Sequence, residues 1–272
     1  MAPSADAESL RLLTDSLRTT MSAASGAKLD AALTDVGWRD MLDEMPDIAI
    51  PLVFTLLGET GAHAPLLNDV LLCAAGEAPG GTLALPFTGG SWVLWERRDS
   101  CDSAIDELLP IHRVPQGDPL PAAALHAGWR ALGWWLVGTS RAMLTLGRRH
   151  AVDRVQFGRH ISSFQAIRHR LAEALVAVEG AEATLQAAAE CDEDPGLAAL
   201  LAKAAAGQAA LTTARHCQQV LGGIGFTAEH PLHHHIKRSL ILDGLLGSAR
   251  ELTRQAGKTL VTTGSAPRLA QL

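Results

Sequence analysis

The chain has 272 residues, of which 47% are apolar and 19% are charged, and it carries 23 Lys and Arg against 29 Asp and Glu. The apolar fraction is sufficient for a packed core and excludes a globally disordered protein. The net charge of −6 argues against a nucleic-acid binder, since neutralising phosphates requires an excess of basic residues.

The first 76 residues are predicted to be helical. Residues 1–8 are small, polar and acidic, so they do not resemble a secretory signal. The longest apolar stretch, from Ile48 to Leu57, is much shorter than the ~20 residues that a membrane-spanning helix requires. We therefore expect a cytoplasmic protein without a membrane span. Its N-terminal helical segments are predicted at residues 4–23, 28–45 and 49–76. Within the last of these, a new helix is predicted to start near Pro65, because proline is favoured at an early helical position.

The segment at residues 77–121 differs from the rest because it is rich in glycine and proline. Two short runs within it, Thr82 to Leu85 and Ser91 to Trp95, have the pattern of strands. The segment holds too few strands for a self-sufficient sheet. A small β module that packs against helices is therefore predicted.

The remainder of the chain is predicted to be helical. Four long helices joined by short connections predict a bundle, and they are placed at about 122–153, 163–190, 197–221 and from Pro231 towards 262. The fold class is therefore predicted as mainly α. Its parts are an N-terminal helical domain at 1–76, a reduced β module at 77–121 and a C-terminal four-helix bundle at 122–272.

No metal site is predicted. Three consecutive histidines, His233 to His235, point in three directions around a helix, so they cannot ligate one metal together. No carboxylate or cysteine follows them at the spacing that would complete a site. The cysteines form no C-x-x-C pair and are interpreted as free thiols in a reducing compartment: Cys73, Cys101, Cys191 and Cys217.

The first candidate binding segment follows the first long bundle helix. It runs from Asp153 to His160 and is followed by Phe164 and Gln165. A guanidinium and loose backbone N–H groups at a helix junction suit a phosphate or a pyrophosphate. The alternative is an ordinary turn with a surface arginine.

The second candidate segment ends the third bundle helix and runs from Gln219 to Phe226. Its paired glycines, Gly222 and Gly223, allow a ligand to approach the backbone closely. The alternative is a plain helix C-cap.

Taken together, the two segments resemble the C-terminal helical domain of the acyl-CoA dehydrogenase family over about residues 122–262. That family has an Arg-x-x-Phe-Gly loop followed by a Gln, and later Gln-x-x-Gly-Gly-x-Gly-Phe/Tyr followed by a Glu and a Pro. The matching residues here are Arg154, Phe157, Gly158, Gln165, Gln219, Gly222, Gly223, Gly225, Phe226, Glu229 and Pro231.

The resemblance implies that these segments bind FAD across a subunit interface. Arg154 and Gln156 are then expected at the pyrophosphate, with Phe157 in the same loop. The adenosine side is assigned by the same resemblance to Gln165, Gln219, Gly222 and Gly223.

Two departures from the family pattern bear on activity. The family's central β-domain is longer than residues 77–121, and its Thr- and Ser-containing loop at the flavin ring has no counterpart here. The slot of the family's catalytic Glu falls on Leu246, which cannot accept a proton. Asp243 lies three residues earlier, on the same face if the helix is regular, and is the candidate substitute base. The alternative for Asp243 is a solvated or salt-bridged helix residue.

The leading hypothesis is a shortened partner subunit, similar to those of heteromeric actinobacterial steroid-degrading acyl-CoA dehydrogenases. A full-length subunit, in an α2β2 complex, would supply the flavin-ring site and the catalytic Glu. The complex would dehydrogenate a bulky acyl-CoA and pass electrons to an electron-transfer flavoprotein or a similar acceptor. The alternatives are an active homomer that uses Asp243 and a non-catalytic structural or regulatory protein.

Overall fold

A computed structural model of the chain describes residues 5–97 and 109–267, with side chains from residue 8 onwards. The predicted free thiol Cys101 lies outside the described residues, and Cys73, Cys191 and Cys217 are unpaired. The structure is mostly helical with a small sheet, as predicted. Its N-terminal helices are α1 (Ala5–Ala23), α2 (Ala27–Asp35), α3 (Trp38–Glu44), α4 (Pro46–Thr60) and α5 (Leu66–Ala74).

The helix predicted at 28–45 is two helices in the structure, and the segment at 49–76 is also divided, at the place where a new helix is predicted. Gly37 lies between α2 and α3 with φ +91°, and Gly61 ends α4 with φ +72°. Glycine adopts this left-handed conformation at little cost, so each glycine ends a helix and turns the chain. At Gly37 the apolar periodicity alone predicts a continuous helix. The prediction of one helix over residues 28–45 was therefore wrong in continuity, whereas the new helix predicted near Pro65 is confirmed as α5.

The β module is a three-stranded antiparallel sheet in the order β1-β2-β3. Leu85 pairs with Val93, and Val93 pairs with Arg113. The sheet buries Leu85, Val93, Trp95 and Ile111, so it packs against helices as predicted. The strands are β1 (Ala84–Phe87), β2 (Ser91–Trp95) and β3 (Ile111–Val114).

The C-terminal part contains α6 (Ala122–Asp153), α7 (Gln165–Ala189), α8 (Pro195–Leu221), α9 (Leu232–Gly244) and α10 (Ala249–Thr263). A short hairpin of β4 (Val155–Gln156) and β5 (Arg159–His160) connects α6 to α7. One described stretch, Pro195–Phe226, is long and apolar enough to cross a membrane, and 72% of its most apolar window is buried inside the protein.

The contacts of α6 fix the direction of its neighbours. Gly133 lies against Leu185 and Gly147 against Leu171, so α7 runs antiparallel to α6. Cys217 also lies against Gly147, and Gly196 lies against His126. In both of these pairs the α8 residue is 70 positions after the α6 residue, so α8 runs parallel to α6. The segments that follow α6 and α8 consequently lie at the same end of the bundle.

The helix predicted from Pro231 towards 262 is interrupted after Gly244. Leu246 and Gly247 have φ values of 55° and 98°, which end the helix. Ser248 then begins α10 through a capping box with Glu251. The prediction of one continuous helix was therefore wrong, and Asp243 and Leu246 do not lie on one helical face.

One large core connects all three parts of the chain. At its centre, Trp135 of α6 lies 5.5 Å from Phe54 of α4 and 5.5 Å from Trp95 of β2, measured between ring centroids. Aromatic pairs at this separation add stabilisation beyond their burial. The β module and the N-terminal helices are thereby attached to the first helix of the bundle.

The helices α4 and α6 cross at two facing glycines, Gly58 and Gly138. A Cβ added to Gly138 would overlap the backbone of Thr55, and one added to Gly58 would overlap the backbone at Thr139. Both glycines are buried. The absence of side chains lets the two backbones touch, which brings the N-terminal helices close to the bundle.

Candidate functional site

The predicted Arg-x-x-Phe-Gly loop is a hairpin that projects from the end of α6. Phe157 and Gly158 form its tip with φ values of 53° and 77°, the positive pair that a tight two-residue hairpin turn requires. The Phe157 side chain is 91% exposed. A non-glycine residue in the left-handed region is uncommon because the conformation is strained. The exposed side chain of Phe157 does not offset this strain by being buried in the protein.

Arg154 joins α6 to this hairpin. Its backbone N–H donates to the carbonyl of His150, and its own carbonyl accepts from Ile161 N at 2.9 Å. Its side chain is exposed, and no ion pair involves it in the described part of the chain. The fold therefore fixes the backbone of Arg154 and leaves the guanidinium available to an anion. Gln156 is also exposed, and its Nε2 donates to the carbonyl of Val155 at 2.8 Å.

Phe164 lies between the hairpin and α7, where it is the N-cap residue of the helix. Its ring lies 6.1 Å from that of Phe157, edge to face, and 4.2 Å from the guanidinium carbon of Arg159. Gln165 follows as the first residue of α7 and is exposed. The N–H groups in the first turn of a helix have no partner within the helix, so this position suits the binding of an anionic or polar group.

The Gly-Gly segment forms a 3₁₀ turn from Gly222 to Phe226, directly after α8. A Cβ built on Gly222 or Gly223 would meet no atom within 4 Å, so both positions are open to a ligand. Gly225 differs, because a Cβ there would lie 2.8 Å from the Gln218 carbonyl oxygen. Gly222 and Gly223 therefore leave room for a ligand, whereas Gly225 allows the turn to pack against the end of α8. Gln219 is exposed on the last turn of α8.

The structure brings both segments to one end of the bundle. Because α8 runs parallel to α6 at an offset of 70 residues, residue 154 is level with residue 224. His150 and His230 are close enough for His230 to lower the pKa of His150, although burial lowers it more. An exposed guanidinium and open glycines at one end fit the phosphates and the flat base of a dinucleotide such as FAD. The predicted cofactor residues at this end are Arg154, Gln156, Phe157, Gln165, Gln219, Gly222 and Gly223.

Leu246, in the predicted base slot, is 4% exposed and tightly enclosed. A Cβ on Gly128 of α6 would lie 2.6 Å from its Cδ1. Its backbone N–H donates to the Pro86 carbonyl at 2.8 Å, and its carbonyl accepts from Trp129 Nε1 at 2.9 Å. The slot therefore holds an apolar side chain fixed between β1 and α6.

Asp243 is 9% exposed and stabilises the start of α10. Its Oδ1 accepts a hydrogen bond from Ala249 N at 2.9 Å and packs closely on Gly207. The solvated environment considered for Asp243 was therefore wrong. A carboxylate oxygen that accepts from the backbone at a helix start has a structural role.

Lys203 and Trp129 were missed by the sequence reasoning. Lys203 is fully buried, and its Nζ donates to the carbonyls of Asp243, at 2.6 Å, and of Gly247. Burial lowers its pKa to about 8, with Asp243 and Glu251 acting in the opposite direction. A single lysine within the alanine- and leucine-rich stretch at 197–206 was the available signal. Together, Lys203 and Trp129 fix the connection between α9 and α10.

The predicted cofactor residues and the predicted base slot are far apart within one chain. Arg154 follows Trp129 by 25 residues along α6, which at about 1.5 Å per residue is about 38 Å. A ligand pocket of usual volume is about 10 Å across. The two regions therefore cannot line one pocket in the same chain.

Of the three histidines at the start of α9, His233 and His234 lie together and His235 lies apart. The prediction that they point in three directions was therefore wrong for the first two. The rings of His233 and His234 lie 3.7 Å apart. His235 faces Gly61, and burial lowers its pKa to about 4. The described residues contain no group of three or more histidine, cysteine or acidic side chains arranged to hold a metal.

The sequence of this chain is similar to those of known proteins. Residues 119–260 match the family model described as acyl-CoA dehydrogenase, C-terminal domain. The acyl-CoA dehydrogenase FadE34 of Mycobacterium tuberculosis is 32% identical over 211 residues, which cover 68% of this chain and 28% of FadE34. The chain spans between 37% and 62% of three further curated relatives.

Solved structures share the fold at lower identity. A variant of the steroid ACAD Tcur3481-Tcur3483 superposes with a TM-score of 0.74 at 19% identity, covering 96% of this chain and 99% of the other. The ChsE4-ChsE5 complex from Mycobacterium tuberculosis gives a TM-score of 0.64, also at 19% identity, covering 98% and 99%.

Proposed function

The chain belongs to the acyl-CoA dehydrogenase family, and we propose that it is the flavin-assisting subunit of a heteromeric member. In this proposal it completes the FAD site of a full-length subunit and does not itself remove the substrate proton. The complex is cytoplasmic and dehydrogenates a bulky acyl-CoA. A steroid-derived acyl group is favoured because a structural relative is a steroid ACAD.

The observation that carries this proposal is the burial of Leu246. A general base must reach the proton that it removes, and no atom of a leucine side chain accepts one. The main chain on both sides of Leu246 is fixed by Trp129 and Pro86, so a neighbouring carboxylate cannot move into the slot without breaking these hydrogen bonds. A full-length partner would supply the base.

FAD, when bound, would accept the two electrons released as the substrate Cα–Cβ bond is oxidised. This chain would hold only part of it. Arg154 and Gln156 would bind the pyrophosphate, and Phe157 would cover it from the hairpin. Gln165, Gln219, Gly222 and Gly223 would line the adenosine side. The separation of these residues from the base slot supports a cofactor that is shared with another subunit. An electron-transfer flavoprotein or a similar acceptor would reoxidise it.

The homomeric alternative assigns the base to Asp243. Its Oδ1 is engaged by Ala249 N, which argues against this role. A non-catalytic structural protein is the second candidate, and the leucine in the base slot is the observation that favours it. The two remaining functions differ in whether a complex with a full-length subunit contains flavin.

The test is to co-express the chain with a full-length acyl-CoA dehydrogenase encoded beside it and to measure the flavin-to-protein ratio of the purified complex. We expect one FAD for each pair of subunits. Arg154→Gln should weaken FAD retention about tenfold or more, because a hydrogen bond to a charged group contributes about 1.5–3 kcal/mol. The matched control, Arg11→Gln on the exposed surface of α1, should retain FAD normally. An isolated chain that binds one FAD per subunit and oxidises an acyl-CoA would contradict the proposal.

A further inference from the structure

Basic residues are concentrated in two segments of this acidic chain. Residues 141–170 and 214–238, together called the basic end, contain ten Lys and Arg but only two acidic residues, Asp153 and Glu229. They also contain eight of the 11 histidines. The other 217 residues carry 13 Lys and Arg against 27 acidic residues. The basic end therefore has a net charge of +8, and the remainder has −14.

The two segments form one region in space. They comprise the last part of α6, the hairpin, the start of α7, the end of α8 and the start of α9. A separate small core joins α6, α8 and α9. The start of α7 is joined to them by Arg170, which lies 3.5 Å from His216 Nδ1 of α8, and by Leu171, which lies against Gly147 of α6. The buried residues of this small core are Met143, Ala214, Cys217, Leu221 and Leu232.

Most of the positive charge faces outwards. The exposed basic side chains are Arg148, Arg149, Arg154, Arg159, Arg168, Arg215 and Lys237. Of these, Arg149 pairs with Asp153 at 3.7 Å, and no other one has a carboxylate within 4.0 Å in the described part of the chain. The diphosphate of one FAD would neutralise about two charges, so most of this charge requires another explanation.

Exposed apolar side chains lie among these charges. Phe157 is 91% exposed and Phe226 is 68% exposed, at the tips of the two candidate segments. Val152, Val155 and Ile224 are also exposed nearby. Large apolar anchors surrounded by arginines are typical of protein interfaces. The aliphatic side chains and the acidic remainder of the chain argue against a nucleic acid.

We propose that the basic end is the docking face for an acidic surface of the full-length partner subunit. Phe157 and Phe226 are the apolar anchors, and the surrounding arginines and Lys237 provide charge complementarity. This inference rests on the proposed function, and it specifies the chemistry that the partner must present. Opposite charges steer association and select the correct partner, so the acidic remainder would also repel a wrongly oriented acidic surface.

The experiment uses the co-expressed complex of the two subunits. Its dissociation constant is measured by analytical ultracentrifugation at about 50 and about 500 mM NaCl, and we expect it to rise at least ~tenfold, because salt screens exposed charges. A triple reversal, Arg148→Glu, Arg168→Glu and Arg215→Glu, should prevent association. The control triple reversal, Arg11→Glu, Arg254→Glu and Lys258→Glu, changes the net charge equally at exposed sites outside the basic end and should leave binding unchanged. Circular dichroism confirms that both variants are folded.

Each outcome of these measurements supports or overturns the docking inference or the proposed function. A flavin-containing complex that is insensitive to salt and to the first reversal would overturn the docking inference and leave the proposed function intact. A complex that is salt-sensitive but contains no flavin would overturn the proposed function and leave the docking face. Failure to form any complex would overturn both. Binding of a 20-mer DNA duplex more tightly than the partner would show that the basic end serves a nucleic acid, and would overturn the inference.

Discussion

The indole Nε1 of Trp129 donates a hydrogen bond to the Leu246 carbonyl at 2.9 Å. This contact joins the first part of α6 to the position at which the family's base is predicted. Leu246 is held in the left-handed region with φ 55°, a conformation that costs a non-glycine residue about 1 kcal/mol or more. Trp129, Pro86 and the buried side chain of Leu246 maintain this conformation together.

Restoring a glutamate at Leu246 should destabilise the protein and should not give the isolated chain dehydrogenase activity. The Leu246→Glu carboxyl would be buried against Leu71 and Gly128, where burial raises a carboxyl pKa. We expect a loss of about 2–4 kcal/mol from lost packing and an unpaired polar group, measured by urea unfolding. Leu240→Glu is the control, because Leu240 is 55% exposed and the change there should be nearly neutral. Acyl-CoA oxidation by the isolated Leu246→Glu chain would contradict this prediction.

Asp243 provides a second prediction, which separates a structural carboxylate from a catalytic one. Asp243→Asn keeps an oxygen that can accept from Ala249 N, so turnover of the complex should be unchanged and stability nearly so. Asp243→Ala removes the acceptor and should cost about 1–2 kcal/mol, as for the loss of a helix cap. Chemical denaturation and turnover are measured on both variants. Loss of turnover in Asp243→Asn, with stability retained, would instead support the homomeric enzyme.

Local signals predicted the helices and the small sheet because apolar periodicity and clusters of glycine and proline act over a few residues. The break after Gly244 was missed because it depends on distant partners. Lys203 contacts the carbonyls of Asp243 and Gly247 from α8, and Trp129 contacts Leu246 from α6. The left-handed backbone conformation of Leu246 cannot be predicted from the residue type, because contacts from distant residues impose it. The cofactor residues were predicted from an ordered motif, and their roles stay predictions.

Lys203 provides a third prediction, a rise in stability with pH. Burial lowers its folded pKa to about 8 from an ordinary value of 10.5, so between these values the unfolded chain binds more protons and raising the pH favours folding. The buried thiol of Cys217, with a pKa raised to about 12 from 9.0, opposes this above pH 9. We therefore expect a gain of about 1 kcal/mol between pH 8 and pH 9. Guanidinium unfolding measures it, and Lys203→Met should abolish the gain. An equal gain in that variant would show that another group is responsible.

The glycines of the bundle provide a fourth prediction, with an internal control. Gly138→Ala places a methyl group against the Thr55 backbone of α4, which cannot move aside as a side chain can. Separating α4 from α6 would also loosen the packing of Phe54 on Trp135, so we expect a loss of about 1–3 kcal/mol. Gly180→Ala changes a helical glycine whose added Cβ meets nothing within 4 Å, and it should gain about 0.5–1 kcal/mol from helix propensity. Opposite signs in thermal unfolding are expected because the backbone contact exists only at Gly138. Equal effects would mean that α4 and α6 do not touch there.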